Sequence, residues 1–156
     1  MRHKIILSIL TGICVTLQLL NCACDRVDHN GKLYGQWQLM EWKDTQGQMK
    51  GDKNTGLFYN VNLELLYMQH KNYVDNQTRA TDEIRCTFCH RADSLLITGV
   101  YIPKANTDTE VTDQQTKEYH LRNHGAGNGR MRIITLSNSC LSLINSDQDT
   151  LTFRKF

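Results

Sequence analysis

The sequence predicts an all-β domain, an antiparallel barrel or sandwich of about eight strands with one short helix, preceded by an export signal. Apolar and polar residues alternate over several short segments, polar connectors separate those segments, and one stretch alone has a helical pattern. The chain has 156 residues. About 130 of them follow the signal, which is the size of one typical domain.

The first segment, residues 1–21, is predicted to be a lipoprotein signal peptide. A basic stretch at residues 2–4 precedes an apolar run at residues 5–20, which is shorter than the roughly 20 residues of a membrane span. Cys22 follows this run, with a leucine three residues before it as in a lipobox, and is the favoured lipid acceptor. Cys24, which follows a small residue, is the alternative. An ordinary secretory signal that contains cysteines is the remaining interpretation.

These features predict a protein of the cell envelope, held by an N-terminal lipid anchor on the outer membrane, at its periplasmic or surface face. Residues 22–31 are predicted to form a tether and residues 32–156 the folded domain. The chain has 18 Lys and Arg against 16 Asp and Glu, and two of the basic residues lie in the signal. The remaining domain has sixteen of each sign, so we expect no nucleic-acid partner.

Period-two alternation marks the strands. Residues 33–39 place Leu33, Trp37 and Leu39 on one face, and residues 59–67 are predicted to form one long strand with a buried side. Shorter strands are predicted at residues 84–88, 94–98, 131–136, 140–144 and 150–156.

One segment, residues 112–121, is predicted to be a short helix. Thr112 is its expected N-cap, and Gln115, three residues on, would complete a capping box. The glycines at positions 125, 127 and 129 predict a loop before the last strands. This loop lacks the preceding strand and following helix of a phosphate-binding loop.

The sequence resembles the lipocalins, and in particular small lipocalin-like lipoproteins of Gram-negative gut bacteria. The resemblance rests on residues 32–39, which contain Gly35-x-Trp37, on residues 149–156, and on the order of segments between them. It implies a lipocalin-like β-barrel whose closed end is plugged by Trp37, with Arg154 of the last strand packed over the ring. Such a cation–π contact contributes about 0.5–2 kcal/mol. The second lipocalin signature, a Thr-Asp-Tyr-type loop, is absent, so a specific ligand is not implied.

The segment Cys86-Thr87-Phe88-Cys89-His90 spells C-x-x-C-H, the attachment sequence of c-type haem. In that chemistry both thiols bind the haem and His90 becomes an axial iron ligand, with Met68, Met131 or His120 as candidate distal ligands. The surrounding alternation predicts a strand, however, on which the two cysteines face opposite sides. Structural strand cysteines are therefore the favoured interpretation, and a small c-type haem protein is the alternative.

Other constellations carry weaker signals. A zinc site would combine Cys86, Cys89 and His90 with a distant His120 or His124. A disulfide between Cys140 and Cys86 is possible, although a free thiol is favoured at Cys140. A Ser94, His90 and Asp93 cluster lies on one turn and is not expected to be catalytic. We therefore predict no catalytic residue, no metal and no cofactor.

The sequence as a whole predicts a lipid-anchored, lipocalin-like envelope protein that is not an enzyme. It would bind a small apolar ligand, or else a protein partner. Strand alternation predicts the side chains that would line the barrel interior as the ligand site. These residues are Trp37, Val61, Leu63, Leu65, Tyr67 and Phe88. A barrel filled by its own side chains would instead indicate a structural or partner-binding module.

Overall fold

The computed structural model describes residues 30–74 and 81–156. The predicted signal peptide, both candidate lipid acceptors, Cys22 and Cys24, and almost all of the predicted tether lie outside the described residues. Within the described ranges, no helix combines the length and the apolar character that crossing a bilayer requires.

The described residues form ten strands and one α-helix. In chain order these are β1 (Gly35–Lys43), β2 (Met49–Asp52), β3 (Leu57–Asn62), β4 (Leu65–Val74), β5 (Thr81–Arg91), β6 (Ser94–Ile102), β7 (Thr109–Glu110), α1 (Gln114–Asn123), β8 (Arg130–Leu136), β9 (Cys140–Ile144) and β10 (Thr150–Lys155). Short 3₁₀ turns at Gly31–Leu33 and Lys53–Thr55 precede β1 and β3.

Eight of these strands close into an antiparallel barrel. The order around it is β1, β3, β4, β5, β6, β8, β9 and β10, and β10 pairs back with β1 from Trp37↔Lys155 to Lys43↔Thr150. The short β2 pairs with the second half of β1, beyond the residues that pair with β3. The two-residue β7 pairs with the end of β6. The predicted all-β antiparallel barrel of about eight strands with one short helix is confirmed.

The predicted long strand at residues 59–67 is wrong. The chain reverses at Leu63, whose φ is +53°, and β3 pairs antiparallel with β4. The reversal shifts the alternation by one residue. The inward residues of β4 are therefore Leu66 and Met68, whereas Leu65 faces solvent.

The predicted helix is confirmed with shifted bounds. Its N-cap is Asp113 rather than Thr112, because the Asp113 carboxylate accepts a hydrogen bond from the backbone N–H of Thr116 at 2.9 Å. A carboxylate at this position satisfies an otherwise unpaired N–H group, and this hydrogen bond lowers the pKa of Asp113. We call residues 114–129, which comprise α1 and the glycine-containing loop after it, the cap.

The hydrophobic core lies inside the barrel and extends into the cap. Inward side chains from all eight barrel strands join one contiguous cluster, to which the cap adds Leu121 and Ala126. The cap lies at the end of the barrel where β1 finishes and β10 begins, since its backbone is bonded to Asn145 in the turn before β10. We call this end the mouth, and the opposite end, where β1 begins, the closed end.

Candidate functional site

Trp37 lies at the closed end of the barrel, at the place that the resemblance to the lipocalins implies. The ring is fully buried, and its Nε1 donates a hydrogen bond to the carbonyl oxygen of Leu33 at 2.8 Å. The prediction of Arg154 over the ring is wrong, because Arg154 faces outward and donates to the Oε1 of Gln38 at 3.1 Å. Lys155, one residue on, shares the inward face of β10 and places its Nζ 5.0 Å from the ring centroid.

Three of the six side chains predicted to line the barrel lie inside it: Trp37, Val61 and Phe88. The prediction is wrong for Leu63 and Leu65, which are 57% and 38% exposed. Both errors follow from the unpredicted reversal between β3 and β4.

The same one-residue shift places Tyr67 on the outer face of the barrel. It lies in register with Asn60, which is exposed, and with Arg85. The Arg85 guanidinium stacks over the Tyr67 ring at 5.7 Å from the centroid. Tyr67 is therefore part of an external polar surface, and its predicted place in the interior is wrong.

The barrel interior is filled by side chains. The buried rings of Tyr59 and Phe153 pack against each other with their centroids 4.5 Å apart. The inward core side chains of the eight strands are at most 5% exposed, so they pack closely against one another, and Phe88 is the most exposed of them. A preformed ligand cavity in the centre of the barrel, the arrangement predicted from the sequence, is therefore not present among these side chains.

The cap closes the mouth through specific polar contacts. The Tyr59 hydroxyl donates to the carbonyl oxygen of His124 at 2.6 Å, and Asn145 Nδ2 donates to that of Gly125 at 3.1 Å. Burial raises the pKa of Tyr59, so its hydroxyl stays protonated as the donor. Gly125 has φ +80°, and a Cβ there would lie 2.5 Å from Leu151. The glycine thus permits the close approach of the cap to the barrel.

A cluster of two histidines and one aspartate lies where the cap meets β4 and β5. His124 is buried in the cap, and its Nε2 lies 3.4 Å from a carboxylate oxygen of Asp82 on β5. The ring of His70 on β4 lies 5.0 Å from that of His124, centroid to centroid. Burial lowers the pKa of His124 and the nearby His70 adds to this, against the opposing effects of the His120 carbonyl and Asp82. The buried imidazole is therefore held neutral.

The C-x-x-C-H segment lies on β5, and its thiols face opposite sides of the strand. Cys86 is fully buried in the barrel, and burial raises the pKa of its thiol to about 12. Cys89 lies on the outer face, and both cysteines are free, as is Cys140 on β9. This geometry offers no support for joint haem attachment or zinc binding by Cys86 and Cys89, in agreement with the strand argument.

The sequence-local cluster at the β5–β6 turn has no catalytic geometry. The hydroxyl of Ser94 donates to Asp93 at 3.0 Å, and the Nε2 of His90 bonds the carbonyl oxygen of Ala92 at 3.2 Å. Neither of these hydrogen bonds joins serine to histidine. A nucleophile activated by a neighbouring base is therefore not formed by these contacts.

An open cleft of about 430 Å³ lies at the closed end of the barrel. We call it the closed-end cleft. A register shift between Thr87 and Phe88 interrupts the pairing of β5 with β6 at this point, and the Phe88 N–H donates to the carbonyl oxygen of Glu64 at 3.0 Å. The side chain of Asn30 donates to the carbonyl oxygen of Leu63. The cleft is lined by Asn30, Leu63, Glu64, Phe88, Cys89, His90 and Thr98.

Sequence reasoning missed this cleft because its walls come from four separate segments. The sequence instead predicts Leu63 and Phe88 in the barrel interior, and it makes Cys89 and His90 candidates for haem or zinc binding. A smaller cleft of about 330 Å³ on the outer wall is mainly polar and has Ile144 as its one apolar lining residue. The closed-end cleft is thus the better match to a small-molecule site.

Comparison with known proteins gives a family and a fold. A family model described as a lipocalin-like domain matches residues 17–156. A lipocalin-like protein from Bacteroides uniformis superposes with a TM-score of 0.55 at 18% identity, over 81% of this chain and 100% of that chain. An uncharacterized protein from Bacteroides eggerthii gives 0.52 at 18% identity, over 79% and 98%. A search of the curated proteins finds no match.

Proposed function

Because this chain belongs to the lipocalin-like domain family, we propose that it is a lipid-anchored envelope protein that binds a small, largely apolar ligand and catalyses no reaction. Small barrels of this class hold one small ligand or fill themselves with side chains. The observation that carries the proposed site is the closed-end cleft, whose volume of about 430 Å³ falls within the roughly 300–1,000 Å³ of small-molecule sites.

The lining of the cleft defines the kind of ligand. Leu63, which is 57% exposed, supplies apolar surface, and the core residue Phe88, 5% exposed, adds a small part, while Asn30, Glu64 and His90 supply polar groups. Such a site fits a molecule with an apolar body and a polar group at one end. The ligand would therefore bind outside the barrel, next to the core rather than within it.

The conformation of Leu63 supports a role for its side chain. Its φ of +53° is a conformation that glycine or asparagine adopts at lower cost. The side chain is nevertheless an exposed leucine at the edge of the cleft. Backbone strain of this kind concentrates at functional sites, and a ligand that covers Leu63 would bury about one leucine side chain.

The proposed anchor would keep the cleft close to a membrane. Cys22 is the proposed lipid acceptor, and Asn30 in the cleft wall is eight residues further along the chain. Eight residues reach at most about 28 Å when fully extended. An apolar ligand that partitions into the lipid surface would thus be within reach of the cleft.

A protein partner is the second candidate, and the filled barrel favours it. An interior without space for a ligand leaves the outer surface as the place where recognition would occur. The exposed Leu63 and Leu65 at the turn between β3 and β4 are apolar groups that a partner could cover.

The ligand proposal is tested by titrating the purified protein with the fluorescent apolar probe 1-aminoanthracene. We expect saturable binding, and Leu63→Asn should weaken it about fivefold, since loss of one apolar contact removes about 1 kcal/mol. Asparagine tolerates the positive φ, so the turn is retained. Leu65→Asn, two residues away and outside the cleft lining, is the matched control and should bind as the wild type does. Absence of saturable binding, or equal loss in both variants, would contradict the proposal.

The anchor is tested separately, by labelling the full chain with an alkyne analogue of palmitate in a Gram-negative host. Cys22→Ala should abolish incorporation and release the protein from the membrane fraction, whereas Cys24→Ala should retain both. The reverse result would assign the lipid to Cys24. If the wild-type chain incorporates no palmitate analogue, the lipid anchor is contradicted and residues 1–21 would be an ordinary secretory signal.

A further inference from the structure

The histidine and aspartate cluster at the mouth unites three separate parts of the fold. His70 comes from β4, Asp82 from β5 and His124 from the cap. One nitrogen of each ring and one carboxylate oxygen all lie within 4.8 Å of one another. We propose that these three side chains form a binding site for a divalent transition-metal ion of the zinc class, which ties the cap to the barrel wall.

The buried end of His124 is the strongest observation. Its side chain is 1% exposed, and among the described residues its Nε2 has no partner in hydrogen-bond geometry, although the Asp82 backbone lies close enough to raise its pKa. The Asp82 oxygen 3.4 Å away lies in ion-pair range without forming a hydrogen bond. A buried polar atom without a partner costs about 1–3 kcal/mol. A metal ion at this point would give the Nε2 lone pair a partner.

The hydrogen bonds around the two rings support metal binding. The Nδ1 of His124 lies 2.8 Å from the carbonyl oxygen of His120, and the Nε2 of His70 lies 3.1 Å from that of Asn123. A carbonyl oxygen only accepts, so the Nδ1 of His124 carries the proton and its Nε2, which lies near Asp82, keeps a lone pair. Metal-bound histidines have their second nitrogen fixed in this way. His70 would bind the ion through Nδ1, or through Nε2 once its bond to Asn123 is broken.

The donor set and its spacing select the metal class. Two imidazoles and one carboxylate suit zinc and its neighbours, whereas calcium and magnesium prefer oxygen ligands alone. Ligands about 2.0–2.1 Å from a tetrahedral ion lie roughly 3.3 Å apart, close to the 3.4 Å between His124 Nε2 and Asp82. The widest separation, up to 4.8 Å, closes by movement of the His70 or Asp82 side chain.

A metal ion at this position would have a structural effect. Two ligands belong to the wall and one to the cap, so an ion at this site would cross-link the cap to the barrel. Asp82 is 37% exposed, which provides a route for entry and room for a water as the fourth ligand. The site lies at the mouth, away from the closed-end cleft, and it does not depend on the ligand proposed there.

The first test is calorimetric titration of the purified, EDTA-treated protein with Zn²⁺, followed by Co²⁺ as a spectroscopic probe. We expect one ion per chain, a rise in Tm, and visible Co²⁺ absorption typical of four or five ligands. His70→Gln and Asp82→Asn should each weaken Zn²⁺ binding at least about tenfold. Both residues are partly exposed, so these variants are expected to fold.

The matched control is His120→Gln, which changes another histidine of the cap, one that lies outside the cluster. It keeps the backbone carbonyl that accepts from His124, so Zn²⁺ binding should be unchanged. Hydrogen exchange should show slower exchange in residues 114–129 with Zn²⁺ in the wild type, and no such change in His70→Gln. The proposal is overturned if Zn²⁺ does not bind, if His70→Gln binds as tightly as the wild type, or if Cys89→Ser rather than the cluster variants removes binding.

Discussion

The ammonium group of Lys155 lies 5.0 Å from the centroid of the Trp37 ring and also donates a hydrogen bond to the carbonyl oxygen of Lys32 at 3.1 Å. The last strand, β10, and the 3₁₀ turn before β1 therefore meet over the same indole ring. These two contacts, together with the bond from Trp37 to Leu33, hold the closed end of the barrel.

Loss of the Lys155 contacts should destabilise the domain. We expect Lys155→Ala to lower the free energy of unfolding by about 1 kcal/mol, because it removes a cation–π contact and a hydrogen bond. Arg154→Ala, its neighbour on the outer face, should change stability by less than about 0.5 kcal/mol. Urea denaturation of both variants measures this difference. A larger loss of stability for Arg154→Ala than for Lys155→Ala would indicate that Arg154 is the residue that packs over Trp37, as the resemblance to lipocalins implies.

Gly125 should be the least replaceable glycine of the cap. Gly125→Ala introduces a Cβ 2.5 Å from the buried Leu151 at a φ of +80°, so both overpacking and backbone strain oppose it. We expect a loss of about 2–4 kcal/mol. Gly47→Ala is the matched control, since it has φ +78° with open space around it, and should cost about 1–2 kcal/mol. Equal losses in thermal or urea unfolding would show that the cap relaxes away from Leu151.

The stability of the apo protein should depend on pH through His124. Burial lowers the pKa of His124 in the folded state, so below about pH 6.5 the unfolded chain binds the proton more readily. Stability should therefore be complete above this pH and fall as the pH decreases towards the folded-state pKa. Urea denaturation in EDTA measures this slope. His124→Gln should reduce it, and His120→Gln should leave it intact; an unchanged slope in His124→Gln would contradict this assignment.

Cys86 should be chemically inert in the folded protein. Its thiol is buried and its pKa is raised to about 12, and the thiolate is the reactive form. Iodoacetamide at pH 8 should therefore label the partly exposed Cys89 and Cys140 before Cys86, as measured by peptide mass spectrometry. In denaturant all three should react at similar rates. Labelling of native Cys86 as fast as Cys89 would indicate that β5 opens locally.

Much of the fold could be predicted from the sequence because alternation and polar turns are local signals. The predicted strands at residues 84–88, 94–98, 131–136 and 140–144 lie within β5, β6, β8 and β9. The reversal at Leu63 could not be predicted, because its two central residues, Leu63 and Glu64, are not typical turn residues, and Asn62 before them also fits the polar face of a continuous strand. The pairing of β3 with β4 holds Leu63 in a left-handed conformation that its own side chain disfavours.

The sites were harder to predict, since each is assembled from distant segments. The closed-end cleft joins Asn30, Leu63, Phe88 and Thr98, which meet only once the barrel has closed. The mouth cluster shows the same difficulty. The sequence makes His124 a candidate zinc ligand, but with Cys86, Cys89 and His90 rather than with its actual neighbours, His70 and Asp82. No spacing along the chain signals either arrangement.

The most direct test of the proposed function is a ¹H–¹⁵N NMR titration of the protein with 1-aminoanthracene. We expect amide shift changes to concentrate at residues 63–64, 88–90 and 98, around the closed-end cleft. The inward residues Val61 and Met131, and Leu121 of the cap, should change little. Shift changes centred on Val61, Met131 and Leu121 would place the ligand inside the barrel and contradict the proposed site.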